Sequence, residues 1–183
     1  EAGYGEEKLW MEQECKYVRE DYGLETRIAR FHNVYGHHGS WCDGREKAPA
    51  AICRKIAEIK HHISSRGNTI VIWGDGSRTR SFMWIEDCLE GILRIMDSDV
   101  VQPLNLGSSE QVTVNQLVSL VEEVADVAFP ISREYDVTKP KGVAGRNSDN
   151  TRIKALLDWE PTTPLRTGLR ETYAWIESQV LAQ

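Results

Sequence analysis

Short β-prone runs alternate with longer amphipathic segments along this chain, and that alternation limits the folds it can adopt. The clearest strand is Thr69–Trp73, a run of β-forming residues that ends at the turn sequence Gly74–Gly76. The clearest helix is Val114–Val127, whose apolar positions recur at helical spacing and which Thr113 can cap. Strands separated by helices predict an α/β fold.

The same patterns predict the remaining elements. Further helices are predicted over Tyr4–Tyr22, Ala48–Ser64, Ile85–Met96, Asn150–Leu157 and Leu165–Val180. Further strands are predicted over Leu24–Phe31, Arg78–Trp84, Pro103–Gly107 and Pro130–Tyr135. We expect Arg78–Trp84 to return from the glycine turn and form a hairpin, and residues 136–149 to form a polar loop.

Charge and hydropathy exclude several classes of function. The formal net charge is -6 and there is no basic run, so nucleic-acid binding is not expected. No apolar stretch approaches the roughly 20 residues of a membrane span. The first residues carry neither the basic nor the apolar region of a secretory signal, so we expect a cytoplasmic protein.

Cysteines and histidines do not form the patterns of a disulfide framework or a metal site. The four cysteines include no C-x-x-C pair, and reduced thiols are the default in the cytoplasm. The adjacent pairs His37–His38 and His61–His62 cannot converge on one ion from a helix, so we expect no metal.

A tyrosine and a lysine four residues apart, Tyr4 and Lys8, form the first candidate catalytic pair. On a helix the two side chains project to the same side. There an ammonium group favours ionisation of a phenol and binds sugar hydroxyls, so the phenol can accept a proton near neutral pH. The same spacing also fits an ordinary amphipathic helix, and the pair alone does not decide between the two interpretations.

Two further candidates precede predicted turns or helices. Asn33 follows a predicted strand, at the edge where ligands of α/β proteins bind, although asparagine is also a common turn residue. Lys47 stands just before a helix, where the helix dipole opposes a cation and so suits proton transfer, although most lysines are simply solvated. Lys55, two turns later, either reaches the same pocket or faces solvent.

Arginines supply candidate contacts for a diphosphate. Arg78 and Arg80 share one face of a predicted strand and form a fork suited to two phosphates. Arg146 follows Gly145 in a loop that leads into a helix. The alternative is an exposed polar strand face and a surface charge.

In this order, the motifs resemble the extended short-chain dehydrogenase/reductases of the NAD-dependent epimerase/dehydratase family that act on nucleotide sugars. The family motif Y-x-x-x-K is matched by Tyr4 and Lys8, and R-x-x-N-x-Y-G by residues 30–36. The motif G-x-G-x-x-x-R-x-[FY] is matched by residues 74–82. The runs most similar to the GDP-mannose 3,5-epimerase branch of the family are 44–51, 79–82 and 145–150.

The resemblance implies the C-terminal part of an extended Rossmann-like, NAD(P)-binding fold with a nucleotide-sugar-binding lobe, its N-terminal glycine-rich half being absent. Residues 1–36 would end the dinucleotide-binding domain. Residues 37–183 would form the substrate-binding lobe, with interleaved returns to the core.

The resemblance also implies roles. Tyr4 would take the proton of the sugar C4 hydroxyl while NAD accepts the hydride, and Lys8 would bind the nicotinamide ribose. Lys47 would be one member of the acid–base pair that inverts C3 and C5 of GDP-mannose or a related nucleotide sugar. The substrate contacts implied are Asn33, Glu46, Lys47, Ala48, Lys55, Arg78, Thr79, Arg80 and Arg146.

The sequence contains neither G-x-G-x-x-G nor G-x-x-G-x-x-G, although a dinucleotide fold needs such a loop to hold the pyrophosphate. Only three residues precede Tyr4, so we expect that loop, and the cysteine that partners the lysine in the family, to stand upstream of this chain. We therefore expect the chain alone to bind NAD weakly or not at all and to be inactive. We also expect a homo-oligomer, or self-association through an exposed apolar face.

Two other functions remain open from the sequence. One is a related nucleotide-sugar 4-epimerase, dehydratase or reductase. The run Gly44–Ala51 argues against it, because it supplies a lysine where 3,5-chemistry requires one. The other is a protein without catalytic activity that binds a nucleotide sugar.

Overall fold

A computed structural model describes residues 2–139 and 144–183, and these form an α/β fold, as the sequence predicts. The helices are α1 (Ala2–Tyr22), α2 (Ala48–Lys60), α3 (Ile85–Asp97), α4 (Val114–Ala125), α5 (Thr151–Leu157) and α6 (Leu165–Leu181). The strands are β1 (Ala29–Phe31), β2 (Val34–Tyr35), β3 (Thr69–Trp73), β4 (Thr79–Ser81), β5 (Met83–Trp84), β6 (Leu104–Leu106), β7 (Gln111–Thr113), β8 (Ser132–Asp136) and β9 (Gly145–Arg146). Part of the predicted loop 136–149 lies outside the described residues.

The strands pair mainly in parallel, between segments that are far apart in the chain. The parallel pairs are β1 with β6, β2 with β5, β3 with β8, and β4 with β9. The antiparallel pair is β4 with β7. Parallel neighbours require long crossover connections, and the helices provide them.

The larger core lies where α2 packs against α6 and α4. Its fully buried side chains include Ile56 of α2, Leu117 of α4, and Leu169 and Ile176 of α6. These helices form because apolar residues recur on one face, and Thr113 caps α4 through a reciprocal bond with Gln116. A second, smaller core surrounds the strand β6.

The predicted hairpin after Gly74 is wrong. Strand β3 pairs with β8, whereas β4 pairs with β7 and β9. Gly74 and Gly76 both adopt positive φ, and a Cβ on Gly76 would overlap the side chain of Asn115 at the start of α4. This turn therefore directs the chain toward α4 rather than back along β3.

Two predicted strands are shorter than expected. The run Leu24–Phe31 forms a strand only over Ala29–Phe31, because its partner β6 offers three residues for pairing. The run Arg78–Trp84 is divided at Phe82 into β4 and β5, which belong to different sheets. A strand's length is set by its neighbours, and those lie far away in the sequence.

None of the helices in the described part of the chain has both the length and the apolarity needed to cross a bilayer.

Candidate active site

The side chains of Tyr4 and Lys8 lie together on α1. The Lys8 ammonium is 5.4 Å from the centre of the Tyr4 ring, as one helical turn of separation predicts. Both side chains line a groove of about 780 Å³ between α1, β1 and α3. Tyr4 is 67% exposed, so the phenol is accessible from this groove.

Glu12 extends the same face of α1 by one more turn and connects it to β1. Its carboxylate accepts two hydrogen bonds from the Arg30 guanidinium, at 2.7 and 2.6 Å. These bonds lower the pKa of Glu12, although burial opposes the shift. Glu12 is not among the residues predicted from the sequence, although its position four residues after Lys8 was a usable signal.

Asn33 is held against the strand that carries the predicted phosphate contacts. Its side-chain amide nitrogen donates to the backbone carbonyl oxygen of Ser81 at 3.3 Å. Its backbone carbonyl oxygen accepts from Met83 N at 2.8 Å. Ser81 directly follows Arg80 in β4. The structure therefore brings Asn33 close to the Thr79–Ser81 strand.

Arg80 and Arg146 are direct partners across the parallel strands β4 and β9. Residues paired in this way present their side chains to the same face of the sheet. Neither arginine forms an ion pair with a carboxylate among the described residues. Two guanidinium groups on one face suit the bidentate binding of phosphate oxygens.

The partner predicted for Arg80 from the sequence is Arg78. Arg78 precedes β4 by one residue, and its carbonyl oxygen accepts from Val114 N at 3.1 Å. Its shared face with Arg80 stays a prediction. The neighbour that β4 pairing gives to Arg80 comes from residue 146, which sequence spacing could not reveal.

Packing and buried polar bonds hold the Arg146 segment in place. A Cβ on Gly145 would meet the Thr79 side chain, so a larger residue would push β9 away from β4. Asn150, which is buried, donates to the carbonyl of Gly107 at 2.9 Å and accepts from the Ser148 hydroxyl at 2.6 Å. These contacts anchor the end of the segment to the turn after β6.

His32 is a further residue of this region that the sequence analysis did not single out. Burial lowers the pKa of its imidazole, and the positive charge of Arg146 lowers it further. His32 immediately precedes Asn33, so the field of Arg146 reaches the end of β1. Asn33, Arg80 and Arg146 thus belong to one neighbourhood at the ends of β1, β4 and β9.

Lys47 lies at the N-cap of α2, with its backbone extended and no side-chain capping bond. Its side chain is exposed, as is that of Ala48. The carboxylate of Glu46 accepts from Gly44 N at 2.7 Å and forms an ion pair of 3.4 Å with Arg54. Both oxygens of Glu46 are therefore engaged, one by its own loop and the other by α2.

Lys55 points toward strand β3. Its ammonium donates to the carbonyl oxygen of Val71 at 3.2 Å. Burial lowers the pKa of Lys55, and the charge of Arg54 adds to this effect. Lys55 is therefore neither a freely solvated side chain nor, in this conformation, directed at Lys47.

The predicted site residues thus form three groups: the α1 groove, the β4–β9 face and the start of α2. Within residues 2–139 and 144–183, no three His, Cys, Asp or Glu side chains are grouped to hold a metal ion. The roles assigned to the individual residues stay predictions.

Residues 1–107 match the sequence model of the NAD dependent epimerase/dehydratase family. This chain belongs to that family. The match includes α1, the end of β1 and the loop before α2, but not the Arg146 segment.

Within the family, the chain is similar to individual enzymes of known name. The chain is 46% identical over 177 residues to GDP-mannose 3,5-epimerase 1 of Oryza sativa subsp. indica, and equally to GDP-mannose 3,5-epimerase of Arabidopsis thaliana. Each match covers 97% of this chain but 44% of the relative, so the chain spans less than half of their length.

Solved structures share the fold. UDP-glucose 4-epimerase from Thermotoga maritima, determined with UDP-glucose, superposes with a TM-score of 0.81 at 25% identity, covering 97% of this chain and 54% of that one. The α/β arrangement described above is therefore part of the Rossmann-like fold of these epimerases.

Proposed function

We propose that this chain contributes the substrate-binding and acid–base residues of a GDP-mannose 3,5-epimerase-like enzyme, which converts GDP-mannose to GDP-L-galactose. The reaction would proceed by transient oxidation at C4, inversion at C3 and C5, and reduction at C4. The observation that carries the proposal is the Arg80–Arg146 pair, in a chain 46% identical to GDP-mannose 3,5-epimerases. Two guanidinium groups on one sheet face suit the diphosphate that every nucleotide sugar carries.

In this proposal each candidate has a definite task. Tyr4 takes the proton of the C4 hydroxyl, with Lys8 beside it at one-turn spacing. Ketone formation at C4 acidifies the protons on C3 and C5, and Lys47 exchanges a proton at one of these centres. Asn33, Thr79 and the two arginines hold the sugar and its diphosphate, together with Glu46, Ala48, Lys55 and Arg78.

The cofactor of the complete reaction would be NAD, which when bound accepts and returns the hydride at C4. The accessible Tyr4–Lys8 pair on the α1 groove fits the nicotinamide ribose end of such a molecule. The sequence has no glycine loop for the pyrophosphate. We therefore propose that the 183-residue chain alone binds NAD weakly or not at all.

Calorimetric titration with GDP-mannose tests the substrate proposal directly. We expect binding by the unaltered chain and about tenfold or greater weakening in Arg80→Gln and in Arg146→Gln, because each loses charge-assisted bonds to phosphate. Arg94→Gln is the matched control, since Arg94 pairs with Glu90 on the surface of α3. Equal affinities of Arg80→Gln and Arg94→Gln would refute the assignment.

A second candidate is a related enzyme that acts on a UDP-sugar. The similarity to UDP-glucose 4-epimerase, with a TM-score of 0.81, favours including it. Titration with UDP-glucose beside GDP-mannose separates the two, because tighter binding of UDP-glucose would make this candidate the better one.

Turnover decides whether the isolated chain is catalytic or only binds. We expect no NAD-dependent epimerisation of GDP-mannose by the 183 residues alone, and formation of GDP-L-galactose would contradict this.

We also propose that the protein is cytoplasmic. We propose that it self-associates, because α1 and α3 expose Leu9, Trp10, Leu93 and Met96. A single monomeric species in sedimentation velocity would argue against self-association.

A further inference from the structure

Arg54 connects two points of the loop 36–47, which joins β2 to α2. Its guanidinium donates to the carbonyl oxygen of Trp41 at 3.2 Å and forms the 3.4 Å ion pair with Glu46. The same group donates to Glu58 on α2 at 2.7 Å. One side chain therefore connects the middle of the loop, its end and the helix that follows.

These bonds are formed in a partly buried environment. The side chains of Arg54 and Glu46 are 23% and 12% exposed. The pKa of Glu46 is lowered chiefly by its backbone hydrogen bonds, and the charge of Arg54 contributes. Bonds to charged groups that are shielded from water contribute more than surface pairs, so this loop has a defined conformation.

The start of α2 combines Pro49 in its first turn with an N-cap that forms no side-chain bond. Lys47 occupies the N-cap but accepts no capping bond through its side chain, and Gly44 has a φ of 83° that other residues rarely adopt. The Gly44 N–H donates to Glu46, whose other oxygen faces Arg54. The backbone that leads into Lys47 is thus tied to Arg54 through Glu46.

We infer that Arg54 is a positioning residue that acts through Glu46 to orient Lys47 toward the bound sugar. The inference rests on the proposed function, since it takes Lys47 as the proton-transferring group. It also gives the Glu46 carboxylate a structural role beside the substrate contact proposed above, because its oxygens are engaged by Gly44 and Arg54.

The first test concerns the loop and does not depend on function. Amide hydrogen exchange of Gly44 is compared between the unaltered chain, Arg54→Met and Arg54→Lys. We expect about tenfold faster exchange in Arg54→Met. Arg54→Lys keeps the charge but not the planar fork, so we expect only partial protection. Unchanged exchange in Arg54→Met would overturn the inference.

The second test measures the orientation of Lys47 itself. In protein labelled with ¹³C at the lysine ε-carbon, the Lys47 signal is assigned by its absence in Lys47→Arg. We expect GDP-mannose to shift this signal in the unaltered chain and in the surface control Arg94→Lys, but not in Arg54→Met. A purely structural role would leave the ligand-induced shift intact in folded Arg54→Met, and that result would overturn the inference.

The two tests separate the inference from the proposed function. If the unaltered chain fails to bind GDP-mannose, the proposed function fails, and with it the orienting role of Arg54. Gly44 exchange still decides whether Arg54 holds the loop. If the unaltered chain binds GDP-mannose, but Arg54→Met keeps both the slow Gly44 exchange and the ligand-induced shift of the Lys47 signal, only the inference fails.

Discussion

Helix α1 carries one lysine proposed for catalysis and helix α2 begins directly after another, but the two helices are held in very different ways. Helix α2 buries seven residues between α4 and α6, including Ile56 and Ala57 with no exposed surface. Helix α1 leaves Leu9, Trp10 and Met11 more than half exposed. Lys47 therefore directly precedes a well-packed helix, whereas Lys8 lies on a helix joined to the fold mainly by polar contacts.

The polar contacts that join α1 to the rest of the fold are few, and they are specific hydrogen bonds and one ion pair. Glu12 pairs with Arg30, and Arg19 donates to the Thr26 hydroxyl, which in turn donates to the Cys15 carbonyl. The described residues therefore supply a packed core for the α2 region but only an edge for α1. Apolar burial scales with area, so the two helices should respond differently to truncation of an apolar side chain.

The largest expected difference comes from truncating one apolar residue on each helix. Ile56→Ala should lower the free energy of unfolding by about 2–5 kcal/mol, because it removes buried methyl groups and leaves a cavity. Leu9→Ala, at 56% exposure, should change it by less than about 0.5 kcal/mol. Urea denaturation measures both values. Similar losses for the two variants would mean that α1 is packed as firmly as α2.

Adding a methyl group at a helical glycine gives a second contrast. In α6, a Cβ on Gly168 would overlap the Tyr35 hydroxyl and the Trp84 ring, so Gly168→Ala should cost about 1–3 kcal/mol. In α1, a Cβ on Gly5 meets nothing within 4 Å. Gly5→Ala should therefore stabilise α1 by up to about 1 kcal/mol.

Thermal unfolding of the two glycine variants provides the measurement. A neutral Gly168→Ala would show that α6 can move away from Tyr35 without cost. A destabilising Gly5→Ala would indicate that α1 packs against something at that position.

Acid should weaken the α2–α6 contact through Glu177. Burial opposes ionisation of this carboxylate, but hydrogen bonds from His61, Lys60 and Tyr173 outweigh it and lower the pKa below the ordinary value of 4.5. A lowered folded-state pKa stabilises the fold above the unfolded-state pKa, and that contribution is lost as pH falls through the folded-state pKa.

The measurement is the difference in unfolding free energy between the unaltered chain and Glu177→Gln. We expect a constant advantage of about 1–2 kcal/mol above about pH 5, declining as the pH falls below the ordinary pKa of 4.5. An advantage independent of pH over that range would exclude the charge of Glu177 as its source.

The smallest expected effect concerns the link between α1 and β1. Glu12→Gln should cost about 1 kcal/mol or less, because Arg30 is half exposed and such pairs contribute little. Amide exchange should nevertheless increase in α1 and stay unchanged in α2. Glu20→Gln, in an exposed pair with Lys16, is the matched control and should alter neither helix.

Local patterns predicted most elements well. The strand Thr69–Trp73 was predicted with its observed bounds, and α2 and α3 begin at the predicted residues. Strand ends and pairings were less predictable, as β1 and the failed hairpin after Gly74 illustrate. Helices depend on neighbours within four residues, whereas a strand depends on partners anywhere in the chain.

The candidate site shows the same difference between local contacts, which the sequence predicts, and contacts between distant segments, which it does not. The Tyr4–Lys8 contact follows from helical spacing alone and could be anticipated. The pairing of Arg80 with Arg146 joins residues 66 positions apart, and no local spacing encodes it. Arg54 was overlooked for a related reason, since its acceptors at Trp41 and Glu46 meet it only after the loop has folded.

The sequence by itself determined the types of elements, the order of the family motifs and the identity of the candidate catalytic side chains. These depend on local periodicity and on the chemistry of single residues. The three-dimensional structure was needed to show which arginines share a face and which lysine adjoins a packed helix. The physical reason is that those properties arise from strand pairing and burial between distant segments, which local sequence does not specify.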